Sequence, residues 1–288
     1  MYRTAPDVQV VVESQRPADE PRGDIVLVHG LEGSAVAGYM RSVAAHAVER
    51  GYAAHRLNLR SCGGTERLAR TAYHAGLTSD LLAVVRALAG ERCAPVWLVG
   101  FSLGGNLAAK LAGELGDDAR SLLAGICAAS AAIDLEACAH RIGQPDNRFY
   151  ELRFLMKMRA RAAAVWRSTP AELHGIRSII EMDDRITAPH NGFRSAEHYY
   201  RTQSANQFLG RIRVPALFIA AKDDTLVPFR IYDHPAFKTN PCLTLLATEH
   251  GGHLGFVARG RPRLWLEHAI MEWIGAHGTN HPFISSGY

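Results

Sequence analysis

The chain has 288 residues, a hydrophobic fraction of 48% and a formal net charge of +4. This length fits one large α/β domain or two smaller ones, and the composition is that of a globular protein with a sizeable core. The basic residues are scattered without a nucleic-acid motif, and no apolar stretch approaches the ~18–20 residues of a membrane span, so we expect neither a nucleic-acid partner nor an integral membrane segment.

Short apolar runs alternate with helical patterns along most of the chain, which is typical of a mostly parallel sheet with helices on both faces. The alternation stops between Ala131 and Gln207, where the patterns are helical; this predicts one domain, 1–288, with a helical cap or lid inserted at 131–207. In chain order, the predicted elements are an antiparallel edge strand at Val8–Glu13, a strand at Ile25–His29, a helix at Gly38–Arg50, a strand at Ala53–Leu59, a helix at Ser79–Ala89, a strand at Val96–Gly100, a helix at Leu103–Leu115, strands at Leu123–Ala129, Ala216–Ala221 and Leu243–Ala247, and a helix at Leu264–Ile274.

One tight turn carries a candidate nucleophile. The run Gly100-Phe101-Ser102-Leu103-Gly104 stands between an apolar strand and a helix, which is the context in which G-x-S-x-G presents a reactive serine. The flanking glycines leave no side chain to clash in the turn, and the N-terminus of the following helix favours negative charge near the serine. We therefore predict that Ser102 is the nucleophile.

A serine hydroxyl needs a base, and in this arrangement an acid and then a histidine follow the serine along the chain. Asp223 and Asp224 both follow the strand Ala216–Ala221, and either could be the acid. His250 and His253 both follow the next strand. We favour His253, because the two glycines before it would let the loop carry its imidazole across the serine.

The oxyanion hole needs two backbone N–H groups that point at the developing negative charge. The first should come from Leu103, directly after the nucleophile. The second should come from the loop His29-Gly30-Leu31-Glu32-Gly33-Ser34, where Leu31 is the natural donor.

The predicted cap contains a stretch that is both basic and apolar, Phe149 to Arg159. Such a helix can lie on a membrane surface, or it can pack its apolar side over an acyl pocket. We favour the second interpretation and keep peripheral membrane contact as the alternative.

Several further segments resemble the α/β-hydrolase superfamily, and in particular its YheT-like branch, which includes abhydrolase-domain lipid esterases. The resemblance runs from about residue 24 to about residue 274. The segments that carry it are His29–Ser34, Asn58–Thr65, Tyr73–Asp80, Gly100–Asn106, Gly192–Arg194 with Tyr199-Tyr200, Asp223-Asp224 and Gly251–Phe256.

This resemblance implies an α/β-hydrolase fold with the cap inserted after the sixth strand. Members place the acid four residues before the proline of a D-x-x-V-P pattern, which favours Asp224 ahead of Pro228. The implied activity is the hydrolysis of carboxylic esters by Ser102, Asp224 and His253, with no metal and no organic cofactor. Under an apolar cap, we expect the substrates to be short- to medium-chain acyl esters or lipid-like esters.

The chain departs from that branch in two places. It has Arg60-Ser61-Cys62 where members usually have Arg-Gly-Cys, and it reaches the oxyanion strand by residue 25, so one or two edge strands are expected to be missing and no membrane anchor is implied. His74 and Asp80 are interpreted as structural, with Ser79 or Asp80 capping the next helix.

The cysteines and the N-terminus bear on location. Five cysteines, widely spaced and without a C-x-x-C pair, predict neither a disulfide framework nor a metal site. Reduced thiols and the lack of an apolar signal core in Met1–Asp7 predict a cytoplasmic protein. Cys62 is expected to pack as a small hydrophobic residue rather than to act as a catalytic thiol.

Two other functions remain open at this point. Acyl transfer to an alcohol would use the same serine and the same intermediate, and only the acceptor would differ. A non-catalytic binding module could also use this fold, although the complete set of candidate residues favours an enzyme. The sequence does not predict an oligomeric state.

Overall fold

A computed structural model describes residues 1–278, which form nine strands and eleven α-helices joined by loops and short 3-10 or π segments. The strands are β1 (Tyr2–Ala5), β2 (Val8–Val10), β3 (Val12–Gln15), β4 (Asp24–Val28), β5 (Ala53–Leu57), β6 (Val96–Phe101), β7 (Leu123–Ala129), β8 (Ala216–Ala221) and β9 (Leu243–Thr248). The helices are α1 (Gly38–Glu49), α2 (Thr78–Arg92), α3 (Leu103–Leu115), α4 (Leu135–Ile142), α5 (Arg148–Val165), α6 (Pro170–Leu173), α7 (Ile179–Met182), α8 (Ala188–His190), α9 (Ala196–Gln203), α10 (Ala236–Thr239) and α11 (Trp265–Gly278).

Seven strands form one sheet in the order β3-β5-β4-β6-β7-β8-β9. Only β3 runs antiparallel, and the other six strands pair in parallel. Parallel neighbours need crossover connections, and here helices supply them on both faces of the sheet. The predicted fold class, an α/β-hydrolase fold with a mostly parallel sheet, is therefore confirmed.

Alternate side chains of β4 show how the sheet divides the core. Ile25 and Leu27 pack on the face covered by α1 and α11, whereas Val26 and Val28 pack on the face covered by α2 and α3. All four are fully buried, because a parallel strand with helices on both sides has no solvent face. The site loops lie at the carboxyl ends of these buried strands.

The N-terminal edge differs from the prediction. The single edge strand predicted at Val8–Glu13 is divided at Val11: β2 pairs with β1 in a separate two-stranded sheet, and β3 pairs with β5 at the edge of the large sheet. The carbonyl of Val11 accepts a hydrogen bond from the Asn58 N–H (2.9 Å), beyond the end of β5. The division thus depends on a contact with a distant segment.

The helical segment between β7 and β8 carries α4 to α9 and contains its own apolar cluster, which includes Leu155, Met158 and Ile186. It follows the seventh strand in chain order, and the fifth strand of the large sheet, rather than the sixth, because the N-terminus forms three short strands. The boundaries of a cap at 131–207 stay a prediction.

The start of α2 differs from the prediction that Ser79 or Asp80 caps this helix. The helix begins at Thr78 without a side-chain cap, so neither Ser79 nor Asp80 caps it. The Asp80 carboxylate instead accepts two hydrogen bonds from the Arg60 guanidinium, at 2.8 and 2.7 Å. An almost buried, bidentate arginine is a stronger partner for a carboxylate than a helix N-terminus.

Candidate active site

Ser102 occupies the turn between β6 and α3 with φ 54° and ψ −117°, a conformation that non-glycine residues rarely adopt. Two glycines permit this turn by close approach. A Cβ on Gly100 would lie 2.2 Å from the Gly104 carbonyl oxygen, and a Cβ on Gly104 would lie 2.2 Å from the Val28 carbonyl oxygen. The structure therefore explains the glycine spacing around Ser102 through close packing against backbone atoms.

The loop after β4 passes directly beside Ser102. A Cβ placed on Gly30 would lie 3.0 Å from the Ser102 Cβ, so the residues that follow Gly30 lie next to the candidate nucleophile. In this loop the Glu32 N–H donates to the Tyr73 hydroxyl (2.9 Å) and the Gly33 N–H donates to the Gly30 carbonyl (3.0 Å).

Two neighbouring N–H groups differ from these. Among residues 1–278, neither the Leu31 N–H nor the Leu103 N–H donates a hydrogen bond to another protein group. Both residues line the same cavity as Ser102. Two unpaired donors beside a serine, one of them at the N-terminus of a helix, form the arrangement that an oxyanion hole requires.

The His29 side chain connects this loop to the segment after β5. Its Nδ1 lies 2.8 Å from the Gly30 carbonyl oxygen, and its Nε2 accepts a hydrogen bond from the Leu59 N–H at 3.1 Å. The imidazole is completely buried, and this burial lowers the pKa of His29 to about 4. A neutral ring with its proton on Nδ1 satisfies both contacts at once.

Asp224 and His253 form a close pair at the ends of β8 and β9. The His253 Nδ1 lies 2.9 Å from Oδ2 and 3.1 Å from Oδ1 of Asp224. Asp224 Oδ1 also accepts hydrogen bonds from the N–H groups of Leu226 (2.9 Å) and Val227 (3.0 Å). The carboxylate is therefore fixed and buried, and it can orient the imidazole.

The competing candidates form a second pair at the surface. His250 Nδ1 lies 3.2 Å from Asp223 Oδ2, but the His250 side chain is 90% exposed, against 16% for His253. Asp223 Oδ1 accepts hydrogen bonds from the Gly252 and Gly251 N–H groups, and this lowers the pKa of Asp223. This carboxylate shapes the loop that carries His253.

The structure thus joins the candidate acid to the candidate base, and the candidate nucleophile to the candidate oxyanion donors. Within residues 1–278, no hydrogen bond connects Ser102 Oγ to His253. Hydrogen bonds of this kind are often long in the absence of substrate and shorten in the complex.

A cavity of about 80 Å³ lies beside Ser102, between the carboxyl ends of the strands and the helical segment that joins β7 to β8. Its wall is mostly apolar, with a buried polar part in which the Tyr200 hydroxyl donates to Asp183 Oδ2 at 2.6 Å. Burial raises the pKa of Asp183 to about 6. The residues around the cavity include Leu31, Tyr73, His74, Leu103, Leu135, Met158, Arg161, Ile179, Asp183 and Tyr200.

Sequence reasoning missed several residues at this site. Asp183 and Arg161 belong to the segment predicted as the cap, and both line the cavity. His74, interpreted as structural, also lines it and packs against Phe193 at 5.3 Å between ring centroids. Its burial lowers the pKa of His74 to about 4. The resemblance to the YheT-like branch includes the Tyr73-His74 block, but no local sequence pattern indicates a buried charge inside an arginine-rich helix.

The described residues also bear on the predictions for Cys62, metal binding and membrane spans. Cys62 is buried, which raises the pKa of its thiol. In the described part of the chain, no group of three or more His, Cys, Asp or Glu side chains is arranged to hold a metal ion. Through residue 278, no helix has both the length and the apolar character to cross a bilayer.

The seven-stranded sheet, the strained serine turn and the paired acid and histidine define an α/β hydrolase. The family model "Alpha/beta hydrolase family" matches residues 25–266, and the chain belongs to this family. The "Putative esterase YheT" of Escherichia coli (strain K12) is 36% identical over 274 residues, which cover 91% of this chain and 79% of that protein.

Two further comparisons extend the likeness. The "Monoacylglycerol lipase" of Saccharomyces cerevisiae is 26% identical over 89% of this chain and 60% of that protein. Among solved structures, "Est1E from Butyrivibrio proteoclasticus" superposes with a TM-score of 0.61 at 15% identity, covering 96% of this chain and 98% of that one. At this identity the likeness concerns the fold alone.

Proposed function

We propose that this chain hydrolyses carboxylic esters through an acyl-enzyme formed on Ser102. The chain is a carboxylic ester hydrolase of the α/β-hydrolase family, and its relatives include proteins named esterase and lipase. The observation that carries the serine mechanism is the strained Ser102 turn, which lies beside two unpaired backbone donors at one cavity.

Each residue has a role in the proposed reaction. Ser102 Oγ attacks the ester carbonyl while His253 Nε2 takes its proton, and the Leu31 and Leu103 N–H groups stabilise the oxyanion. His253 then protonates the leaving alcohol, and the acyl group remains on Ser102. Water, activated by the same imidazole, releases the acid. Asp224 holds Nδ1 protonated and stabilises the imidazolium.

The cavity favours short- to medium-chain acyl groups. Its volume of about 80 Å³ is below the ~300–1,000 Å³ of usual ligand sites, so a longer or lipid-like ester requires movement of α5 or its neighbours. Acyl transfer to an alcohol uses the same residues and replaces water as the acceptor. A cytoplasmic location stays a prediction.

Initial rates on nitrophenyl esters from acetate to palmitate test the proposal. The Ser102→Ala variant should lose activity on every member of the series. Ser130→Ala is the matched control, because Ser130 directly follows β7 as Ser102 follows β6, but it is buried and its hydroxyl makes no hydrogen bond in the described structure. Wild-type turnover that survives in Ser102→Ala would refute the serine mechanism, and no turnover by the wild type would favour a binding module.

A lipid surface is the second proposed contact of this protein. The outer side of α5 exposes Phe149 (74%), Leu152 (44%) and Met156 (63%), which recur at helical spacing. The exposed Arg148 and Arg153 lie on the same helix. Large apolar side chains beside basic ones suit an anionic lipid surface, where apolar contact and charge attraction add.

Sedimentation with vesicles tests this contact. The wild type should bind phosphatidylglycerol vesicles more tightly than phosphatidylcholine vesicles, and added salt should weaken the binding. The double variant Phe149→Ser, Met156→Ser should bind at least about tenfold more weakly, because each lost side chain contributes about 1.5–3 kcal/mol when buried. Equal binding by the double variant would refute the proposal, and unchanged acetate-ester hydrolysis serves as the control for folding.

A further inference from the structure

Glu32 follows the candidate oxyanion donor Leu31, and its N–H, its carbonyl and its carboxylate each have a polar partner. Its backbone is in the left-handed region with φ 54°, which is strained for a residue other than glycine. The Glu32 N–H donates to the Tyr73 hydroxyl (2.9 Å), and the Glu32 carbonyl accepts from Lys157 Nζ (3.0 Å). The carboxylate forms a salt bridge with Arg161.

Two of these three partners come from the cap helix α5. Lys157 and Arg161 are four residues apart, so they lie on the same side of the helix, one turn from each other. Lys157 fixes the peptide after Glu32, and Arg161 fixes the side chain. Arg161 also lies over the Tyr73 ring, with its guanidinium carbon 4.3 Å from the ring centroid, so the whole set forms one connected cluster.

The salt bridge is nearly inaccessible to solvent. The side chains of Glu32 and Arg161 are 7% and 8% exposed. Removal of one partner would leave the other charge buried without compensation, which is far less favourable than loss of a surface ion pair. The loop conformation around Leu31 is therefore tied strongly to the position of α5.

We infer that Arg161 and Lys157 are positioning residues that hold the Leu31 N–H toward Ser102 through Glu32. The inference rests on the proposed ester hydrolysis, because it assigns these residues to the oxyanion hole of that reaction. When α5 is docked, Glu32 keeps its strained backbone and the Leu31 donor is in place. When α5 moves away, Glu32 loses both cap partners and the donor loses its fixed direction.

Kinetics of Arg161→Gln on the best short-chain ester provide the first test. An oxyanion donor acts in the transition state, so kcat should fall about 10- to 100-fold while KM changes little. Arg161→Lys should recover part of the loss, since it restores the charge without the planar fork. Lys157→Met removes only the hydrogen bond to the carbonyl and should lower kcat less than Arg161→Gln.

Arg177→Gln is the matched control, because it removes an exposed arginine of the same helical segment whose guanidinium makes no hydrogen bond or salt bridge within residues 1–278. It should leave kcat and KM unchanged. A loss in Arg161→Gln that appears only in KM would overturn the inference, since it would place Arg161 in ground-state binding.

Hydrogen exchange provides a readout that does not depend on turnover. The backbone amides of residues 30–34 should exchange faster in Arg161→Gln and Lys157→Met than in the wild type or in Arg177→Gln. Unchanged exchange in this segment would overturn the inference even if activity fell. If the wild type shows no Ser102-dependent turnover, the proposed function fails and the catalytic role inferred here fails with it, while faster exchange would still report the physical link.

Discussion

Acidification should destabilise this protein through His29. The ring is buried, both its nitrogens have partners, and its pKa in the folded state is about 4 against 6.5 for an exposed histidine. Between these two values the unfolded chain binds a proton that the folded chain does not. The stability attributable to the neutral ring is therefore full above pH 6.5 and is lost progressively as the pH falls toward 4.

The magnitude follows from the width of that window. Each pH unit in it corresponds to about 1.36 kcal/mol, so the 1.5 units from 6.5 down to 5 amount to about 2 kcal/mol of unfolding free energy from His29. A His29→Gln variant cannot titrate. It should be less stable than the wild type at neutral pH, because the Leu59 N–H loses an acceptor, but its stability should depend less on pH.

Urea unfolding at pH 7 and pH 5 measures both quantities. The difference in unfolding free energy between the two pH values should be smaller in His29→Gln by about 2 kcal/mol. An equal difference in both proteins would refute the reasoning, since it would mean that His29 is protonated in the folded state at pH 5 or accessible to water.

Three further outcomes follow from single contacts. Gly104→Ala should lower the unfolding free energy by about 1–3 kcal/mol in urea titrations and reduce kcat, because its Cβ would lie 2.2 Å from a carbonyl oxygen of β4. The control Gly90→Ala lies in α2 with open space around it, and it should be about 1 kcal/mol more stable than the wild type. Asp224→Asn should reduce ester hydrolysis by about 10⁴-fold by losing control of the imidazole tautomer, and Asp223→Asn should reduce it far less; similar losses would contradict the assignment. Burial raises the folded-state pKa of Asp183 from 3.8 to about 6, so its contribution to the unfolding free energy is most favourable below pH 3.8 and is lost as the pH rises through 6. Asp183→Asn does not titrate. Its unfolding free energy should therefore gain up to about 3 kcal/mol relative to the wild type between pH 4 and pH 8, measured by thermal or urea unfolding.

Local patterns were sufficient for much of the fold. The bounds predicted for the helix Leu103–Leu115 and the strands Leu123–Ala129 and Ala216–Ala221 are those of the structure. These elements are buried among close neighbours, and their apolar runs end at turns that glycine or polar residues mark. The strand–turn–helix context of Ser102 was visible for the same reason. The catalytic roles of Ser102, Asp224 and His253 stay predictions.

The features that local sequence patterns did not predict depend on contacts between residues that are far apart in the sequence. The N-terminal strand is divided where the Val11 carbonyl meets Asn58, and Asp80 binds Arg60 instead of capping a helix. The Glu32–Arg161 bridge joins residues 129 positions apart. A charged residue in an amphipathic stretch is normally on the surface, so sequence alone favours solvent over a buried partner.

The order of the site residues along the chain has a consequence for synthesis. The proposed oxyanion loop lies near residue 31, the candidate serine at 102, the α5 arginine at 161 and the candidate histidine at 253, and each depends on a different strand or helix. A ribosome releases the N-terminal half first, so a nascent chain that already carries the serine turn still lacks the proposed base, His253, until β9 and the loop after it emerge. If the proposed mechanism holds, we expect that incomplete chains do not attack esters, and that the onset of activity during translation reports the completion of β9 rather than of the serine turn.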